Sequence, residues 1–165
     1  MEFDNARVAV LYGSQSGNSA LVAEAIADRL RHAGFETQVF PEEGPTDGQI
    51  SDLEVLFVCT SSHGLGELPD NLRPVHERWM KEQIDLSHLS YAVICLGDST
   101  YSETFCAAGA TMDRDLECLG AGRMCPRFEI DVSLDPFADD AALGWIDDWI
   151  LRARGESTRR YRAAV

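Results

Sequence analysis

Gly13-Ser14-Gln15-Ser16-Gly17-Asn18-Ser19 is the stretch whose reading decides the fold of this chain. Just before it stands Val8-Ala9-Val10-Leu11-Tyr12, a short apolar run that reads as a buried strand. Just after it, from Leu21 to Ala33, apolar residues fall at Val22, Ala25, Ile26, Ala27, Leu30 and Ala33, which is helical spacing. The stretch is therefore a loop of glycines and hydroxyls between a strand end and a helix start. The N–H groups of a first helical turn have no carbonyl partner within the helix, and the helix dipole adds partial positive charge there. Those groups, with the hydroxyls of Ser14, Ser16 and Ser19, suit a phosphate, although the loop holds neither Lys nor Arg. An ordinary turn with Ser or Asn as the N-cap gives the same pattern, so both readings stand at this point. The loop lacks the Gly-Lys-Ser/Thr of a triphosphate loop and the G-x-G-x-x-G of a dinucleotide site, which argues against both.

Moving outward, Gly34 suits the residue after the first helix, and 35–40 reads as a second strand. Residues 41–52, with Pro41, Gly44, Pro45, Asp47 and Gly48, read as a loop. Leu53 to Thr60 and Tyr91 to Leu96 are apolar on both faces, the mark of strands in a parallel sheet covered by helices. A helix is expected over 71–83, burying Leu72, Val75, Trp79 and Met80, and a longer one over 103–119, burying Phe105, Met112, Leu116 and Leu119. Met124 to Val132 alternates, with Arg127, Glu129 and Asp131 on the other side, and contains Pro126; this predicts an edge strand with one wet face. Asp135-Pro136 reads as an N-cap followed by proline, opening a last helix that buries Phe137, Ala142, Trp145, Ile146, Trp149 and Ile150. Alternation of this kind predicts a doubly wound α/β sheet, which binds ligands at the carboxyl ends of its strands. Three loops lie at that edge: 13–19, 60–71 and 97–106.

The chain has 165 residues, suited to one domain, and 45% of them are hydrophobic. No apolar run reaches membrane-spanning length, and Met1-Glu2-Phe3-Asp4 does not read as a signal peptide, so a cytoplasmic location without membrane contact is expected. Five cysteines with no C-x-x-C spacing predict reduced, structural thiols. The formal charge is −14. It is uneven: 152–165 carries five arginines against Glu156, which leaves the rest of the chain at −18. The division expected is a domain over 1–151 and an Arg-rich tail over 152–165, most simply a solvated terminus. An acidic body argues against nucleic acid as a partner and favours a basic protein, although acidity serving solubility alone explains the charge at least as well.

The second loop, Thr60-Ser61-Ser62-His63-Gly64-Leu65-Gly66-Glu67-Leu68-Pro69-Asp70-Asn71, brings two glycines and a flat titratable ring. The third, Leu96-Gly97-Asp98-Ser99-Thr100-Tyr101-Ser102-Glu103-Thr104-Phe105-Cys106, brings an aromatic ring among small polar groups. His63 and Tyr101 would each pass alone for surface loop residues. A phosphate cradle, a glycine loop and an aromatic plate on one sheet edge together suit a flat ring system carrying a phosphate. In these motifs the chain resembles the flavodoxins, especially the short MioC-type flavodoxins and the FMN-binding domains of sulfite reductase and cytochrome P450 reductase. The resemblance runs over nearly all of 7–151.

What the resemblance implies is specific. The fold is a flavodoxin-like three-layer α-β-α sandwich around a five-stranded parallel sheet of order 2-1-3-4-5. The cofactor is FMN. Its phosphate is held by Ser14, Gln15, Ser16, Gly17, Asn18 and Ser19. The loop with Ser61, Ser62, His63, Gly64 and Gly66 passes one side of the isoalloxazine, and Tyr101 stacks on the other. Leu96, Gly97 and Asp98 approach the ring edge and ribityl chain, and Phe105 and Cys106 complete the third loop. A peptide turn-over at Gly64 accompanies flavin reduction. The role implied is a monomeric electron carrier without catalytic residues or metal. It takes electrons from a flavin reductase and gives them to a P450, a sulfite-reductase-like enzyme or a radical enzyme through basic docking faces. Glu67, Asp70, Glu103, Asp139 and Asp140 are expected near the flavin edge. An FMN-dependent NAD(P)H:quinone or nitro reductase, and a flavin-free binding module, are the competing readings.

Overall fold

The first apolar run forms strand β1, Arg7–Gly13, and the spacing after it forms helix α1, Asn18–His32. The structure, a computed structural model, describes residue 3 and residues 5–41, 43–62 and 64–156. The chain continues through β2 (Glu36–Phe40), α2 (Asp47–Asp52), β3 (Val55–Ser61), α3 (Arg73–Glu82) and β4 (Ser90–Gly97). It ends with α4 (Ala107–Cys118), β5 (Gly122–Arg123), β6 (Phe128–Asp131) and α5 (Ala138–Ala153). All pairings are parallel, in the order β2-β1-β3-β4-β5, with β6 also on β4. The order expected from the resemblance is thus the one found.

Strand alternation builds two cores, because successive side chains leave a strand on opposite faces. Val8, Val10, Phe57, Ala92 and Ile94 pack with α1 and α5 through Ile26, Leu30, Ile146 and Trp149. Ala9, Leu11, Leu56, Val58, Tyr91 and Val93 pack with the opposite layer through Ile50, Val75, Trp79, Met112 and Leu116. Phe57 sits edge-on to both Trp145 and Trp149, at 5.9 and 5.0 Å between centroids. A bidentate ion pair from Arg29 to Asp147, at 2.6 and 2.7 Å, ties α1 to α5 across the surface.

Four local expectations need correction. The loop expected at 41–52 contains α2. Thr46 Oγ1 accepts from Gln49 N–H at 3.2 Å and Gln49 Oε1 accepts from Thr46 N–H at 2.9 Å, a capping box that starts a helix despite the nearby glycines. The edge strand expected over 124–132 is two pieces. Between the pairs Tyr91–Arg123 and Ile94–Phe128, β4 advances by Ala92 and Val93 while the outer chain spends 124–127. Pro126, which has no N–H to give the ladder, sits in that break. The outward face is not open water either, since Arg127 reaches Asp113 on α4 at 2.9 Å. The long helix begins at Ala107 rather than Glu103, because Cys106 adopts a left-handed φ of 52° and the turns before it close on Tyr101 and Thr104 carbonyls. Finally α5 begins at Ala138. Asp135 Oδ1 accepts from Phe137 N–H at 2.9 Å in a local turn instead of capping, and Phe137 is exposed where burial was expected. α5 runs on through Arg152 to Ala153, and 157–165 lie outside the described residues. Among the described residues no helix is long and apolar enough to cross a membrane, and the five cysteines are free thiols.

Candidate functional site

The three loops meet at the carboxyl edge of the sheet around a cleft of about 320 Å³. Each wall has its own construction. In the first loop neither Ser nor Asn caps α1. Gly17 does so at φ 88°, and the Ser14 hydroxyl accepts from Gly17 N–H at 2.8 Å, which curls the loop over the helix end. The first-turn N–H groups at Asn18, Ser19 and Ala20 have no acceptor within the helix. Ser19 is fully buried, and its Oγ has no hydrogen-bond partner among the described residues. Ser16 and Asn18 line the cleft.

Asn71, at the far end of the second loop, holds the first in place. Its Oδ1 accepts from Ser14 N–H at 3.0 Å, and its Nδ2 donates to the Tyr12 carbonyl at 2.9 Å and the Pro41 carbonyl at 2.6 Å. Only the resemblance brought Asn71 into a motif; this clamp was not foreseen. In the second loop Ser61, Ser62 and Gly64 line the cleft. The Ser62 hydroxyl also accepts from Ala108 N–H at 3.1 Å, tying the loop to α4. Gly64 and Gly66 stand at φ 52° and 101°, a region side chains with a Cβ resist. Gly66 turns against Ala107 rather than the cleft. His63 lies outside the described residues.

The third loop supplies Leu96, Gly97, Asp98, Tyr101 and Phe105, with Thr104 and Val132, neither of which the sequence had singled out. A Cβ on Gly97 would stand 2.7 Å from Phe105 Cδ2, so glycine is what lets the Phe105 ring lie over the strand end. Tyr101 is 69% exposed, a ring on the open side. Asp98 Oδ1 accepts from Thr100 N–H at 2.9 Å and from the Thr100 hydroxyl. Asp131, at the end of β6, binds this loop to the next: its Oδ1 accepts from Ser99 N–H at 3.2 Å, Ser133 N–H at 3.1 Å and the Ser133 hydroxyl at 2.6 Å. Those bonds from Ser133 and Ser99 lower the Asp131 carboxyl to about 2. Cys106 is buried, its Sγ 3.5 Å from the Cys95 carbonyl oxygen and away from the lining. Gln15, Ser14 and Gly17 likewise do not line the cleft, Ser14 and Gly17 serving the loop's own shape.

The family description Flavodoxin matches residues 10–145. The chain belongs to the flavodoxin family. Its activity is that of the family, electron transfer on a bound flavin. It is 36% identical to the MioC homolog of Haemophilus influenzae over 143 residues, 87% of this chain and 96% of that one. It is also 36% identical to the sulfite reductase [NADPH] flavoprotein alpha-component of Bacillus subtilis over 151 residues, 91% of this chain but 24% of that protein. Among solved structures, a cysteine-to-serine mutant of flavodoxin from Pseudomonas aeruginosa superposes with a TM-score of 0.82 at 30% identity, covering 90% of this chain and 99% of that one.

Away from the flavodoxin cleft, two buried carboxylates on α4 anchor that helix. Asp113 accepts from Arg123 Nε at 2.8 Å, Arg127 Nη1 at 2.9 Å and the Tyr91 hydroxyl at 2.8 Å. Burial, then the bond to Asp113, pushes the Tyr91 hydroxyl up. Asp115 takes a 2.7 Å bond from Arg114 and lies 2.7 Å from His76 Nε2 on α3. Burial raises the Asp115 carboxyl, but the Arg114 and His76 contacts outweigh it and leave it lowered. Neither aspartate is singled out by the sequence reading, although each sits on the face that also buries Met112 and Leu116.

Proposed function

We propose that this flavodoxin binds FMN in the three-loop cleft and works as an electron carrier between a reductase and an acceptor enzyme. Three features support FMN. The volume of the cleft falls within the roughly 300–1,000 Å³ usual for small-molecule sites. The lining pairs two aromatic side chains, Tyr101 and Phe105, with the bare backbone of Gly97, against which Phe105 packs, and such a lining suits a flat ring. The buried, unpartnered Ser19 hydroxyl beside unpaired first-turn N–H groups is the observation that carries the reading, because it is a polar site awaiting an acceptor-rich group such as a phosphate.

When bound, the flavin supplies the redox chemistry. The chain's residues do the rest. Ser16, Asn18, Ser19 and the first-turn amides would hold the phosphate, in a turn shaped by the Ser14–Gly17 bond. Ser61, Ser62 and Gly64 would lie along one face of the ring. Leu96, Gly97 and Asp98 would border the ring edge and Tyr101 would cover the other face, while Phe105 and the buried Cys106 back the third loop. Leu65 and Tyr101, exposed at 87% and 69%, put apolar surface beside the opening. Glu67, Asp70, Glu103, Asp139 and Asp140 are exposed on loops or helix starts of the same edge. That surface suits a basic redox partner.

Competitive titration of the flavin-free protein with FMN and riboflavin tests the proposal. Each charge-assisted hydrogen bond to a phosphate contributes about 1.5–3 kcal/mol, so FMN should bind at least tenfold more tightly. Riboflavin binding within tenfold of FMN, or no binding of either, overturns it.

A further inference from the structure

Behind the third loop, three side chains from three elements converge. Cys95 on β4 and Glu129 on β6 are register partners in a parallel pair, so their side chains leave the sheet on the same face. Cys106 closes over them as the residue capping α4, in a left-handed conformation uncommon for a residue with a Cβ. The two sulfurs and a Glu129 carboxylate oxygen all lie within 4.8 Å of one another. Among the described residues no other group of three His, Cys, Asp or Glu donors is gathered in this way.

We propose that Cys95, Cys106 and Glu129 form a binding site for one thiophilic divalent ion of the Zn²⁺ class. This is independent of the flavin cleft and of the reading given to it. Zinc binds thiolate at about 2.3 Å and carboxylate at about 2.0–2.2 Å, so tetrahedral donors stand roughly 3.5–3.8 Å apart and opposed ones no more than about 4.6 Å. The donor triangle is already close to that size. Two thiol donors select thiophilic ions over Mg²⁺ or Ca²⁺. Charge also closes: the ion is neutralised by two thiolates, and Glu129 is neutralised by Arg127, which donates to its Oε1 at 3.1 Å. Cys95 and Cys106 are each 1% exposed, whereas the Glu129 side chain is 37% exposed. The carboxylate therefore gives the entry path and leaves the fourth position to water. The contact with Cys106, with burial, holds the Cys95 thiol up. Thiols bind such an ion as thiolates, so binding releases protons to solvent.

The test uses the full-length protein as purified, kept reduced, with Cd²⁺ as the probe and its thiolate-to-metal ultraviolet band as the signal. One ion per chain is expected, with two protons released into weakly buffered solution. The signal should persist when the exposed Cys118 and half-buried Cys125 are replaced together (Cys118→Ser, Cys125→Ser), and vanish in Cys106→Ser. Glu129→Gln, a surface change that keeps the fold, should weaken binding about tenfold. No band overturns the proposal, as does a band that survives Cys106→Ser or one removed by the Cys118 and Cys125 changes. Should Cys106→Ser fail to fold, Glu129→Gln decides, and unchanged affinity there overturns the site.

Discussion

Gly97 ends β4 at the wall of the cleft. An alanine there would press its methyl to 2.7 and 2.8 Å from the Phe105 ring and 3.0 Å from Cys106 N. Backbone cannot yield as a flexible side chain can, so the ring must move. Gly97→Ala is expected to destabilise the flavin-free protein by about 1–3 kcal/mol in urea unfolding and to weaken FMN binding at least tenfold. Gly64 differs in kind. A Cβ there meets only the far end of the flexible Glu67 side chain, but φ is 52°. The strain of a left-handed Cβ residue, about 1–2 kcal/mol, would therefore act on the loop's choice of conformation rather than on packing. If the peptide after Gly64 turns over on reduction, Gly64→Ala should change the separation of the flavin's two one-electron potentials by about 60 mV, a tenfold change in equilibrium. Unchanged separation with FMN still bound would rule the turn-over out. Asp131 carries a pH prediction. Its folded pKa of about 2 lies below the ordinary aspartate value near 3.9, so the carboxylate form stabilises the fold. Its tie to Ser99 and Ser133 is fully present above about pH 4 and is lost as pH falls through 2. An NMR titration of the Asp131 carboxyl should show a midpoint near 2, and an ordinary midpoint would mean the tie is absent.

Helix α4 shows what can and cannot be read at the level of elements. Its apolar spacing placed Met112 and Leu116 correctly, because burial of a helix stripe repeats every turn. Its start was set four residues early, because the left-handed turn at Cys106 is a tertiary choice that no local pattern marks. Asp113 and Asp115 are both buried, because partners reach them from other elements: Tyr91, Arg123 and Arg127 for one, and His76 of α3, beside Arg114 of α4 itself, for the other. The fifth strand repeats the lesson. Its alternation was visible from Met124 to Val132, whereas the break at 124–127 depends on how fast β4 runs beside it. The clamp by Asn71 spans 57 residues to Ser14 and leaves no local trace. By contrast the cleft loops were legible because strand, loop and helix succeed one another directly in sequence. Removing a buried carboxylate leaves its cations without a partner, although Arg123 and Arg127 are 37% and 31% exposed and regain some water. Asp113→Ala should thus cost about 2–4 kcal/mol, toward the lower side of what breaking a buried pair costs, in reversible urea unfolding. A loss under about 1 kcal/mol would place the network among surface ion pairs.

Charge is a property of the whole molecule, and here it is −14. Spread evenly, it would only keep copies apart. Around the cleft edge it shares the surface with exposed apolar side chains: Leu65 at 87%, Leu134 at 80%, Tyr101 at 69% and Phe137 at 65%. Charge acts over a Debye length and guides approach, while apolar surface acts only in contact and holds the complex once formed. The two therefore separate experimentally. If partners dock at this edge, the bimolecular rate of electron transfer from a basic donor should fall at least tenfold between about 0.01 and 0.1 M salt, as the Debye length drops from about 30 to 10 Å. At higher salt it should level off rather than vanish. Location is tested by charge reversal. Glu67→Lys and Asp139→Lys, at the strand carboxyl edge, should lower the rate and flatten its salt dependence. Glu82→Lys, exposed at the carboxyl end of α3 and so at the opposite edge, should leave both unchanged. Stopped-flow reduction across a salt series reads all three variants. A flat profile in the unmodified protein, or equal effects of Glu67→Lys and Glu82→Lys, would return the acidity to a role in solubility and remove the cleft edge as the docking face.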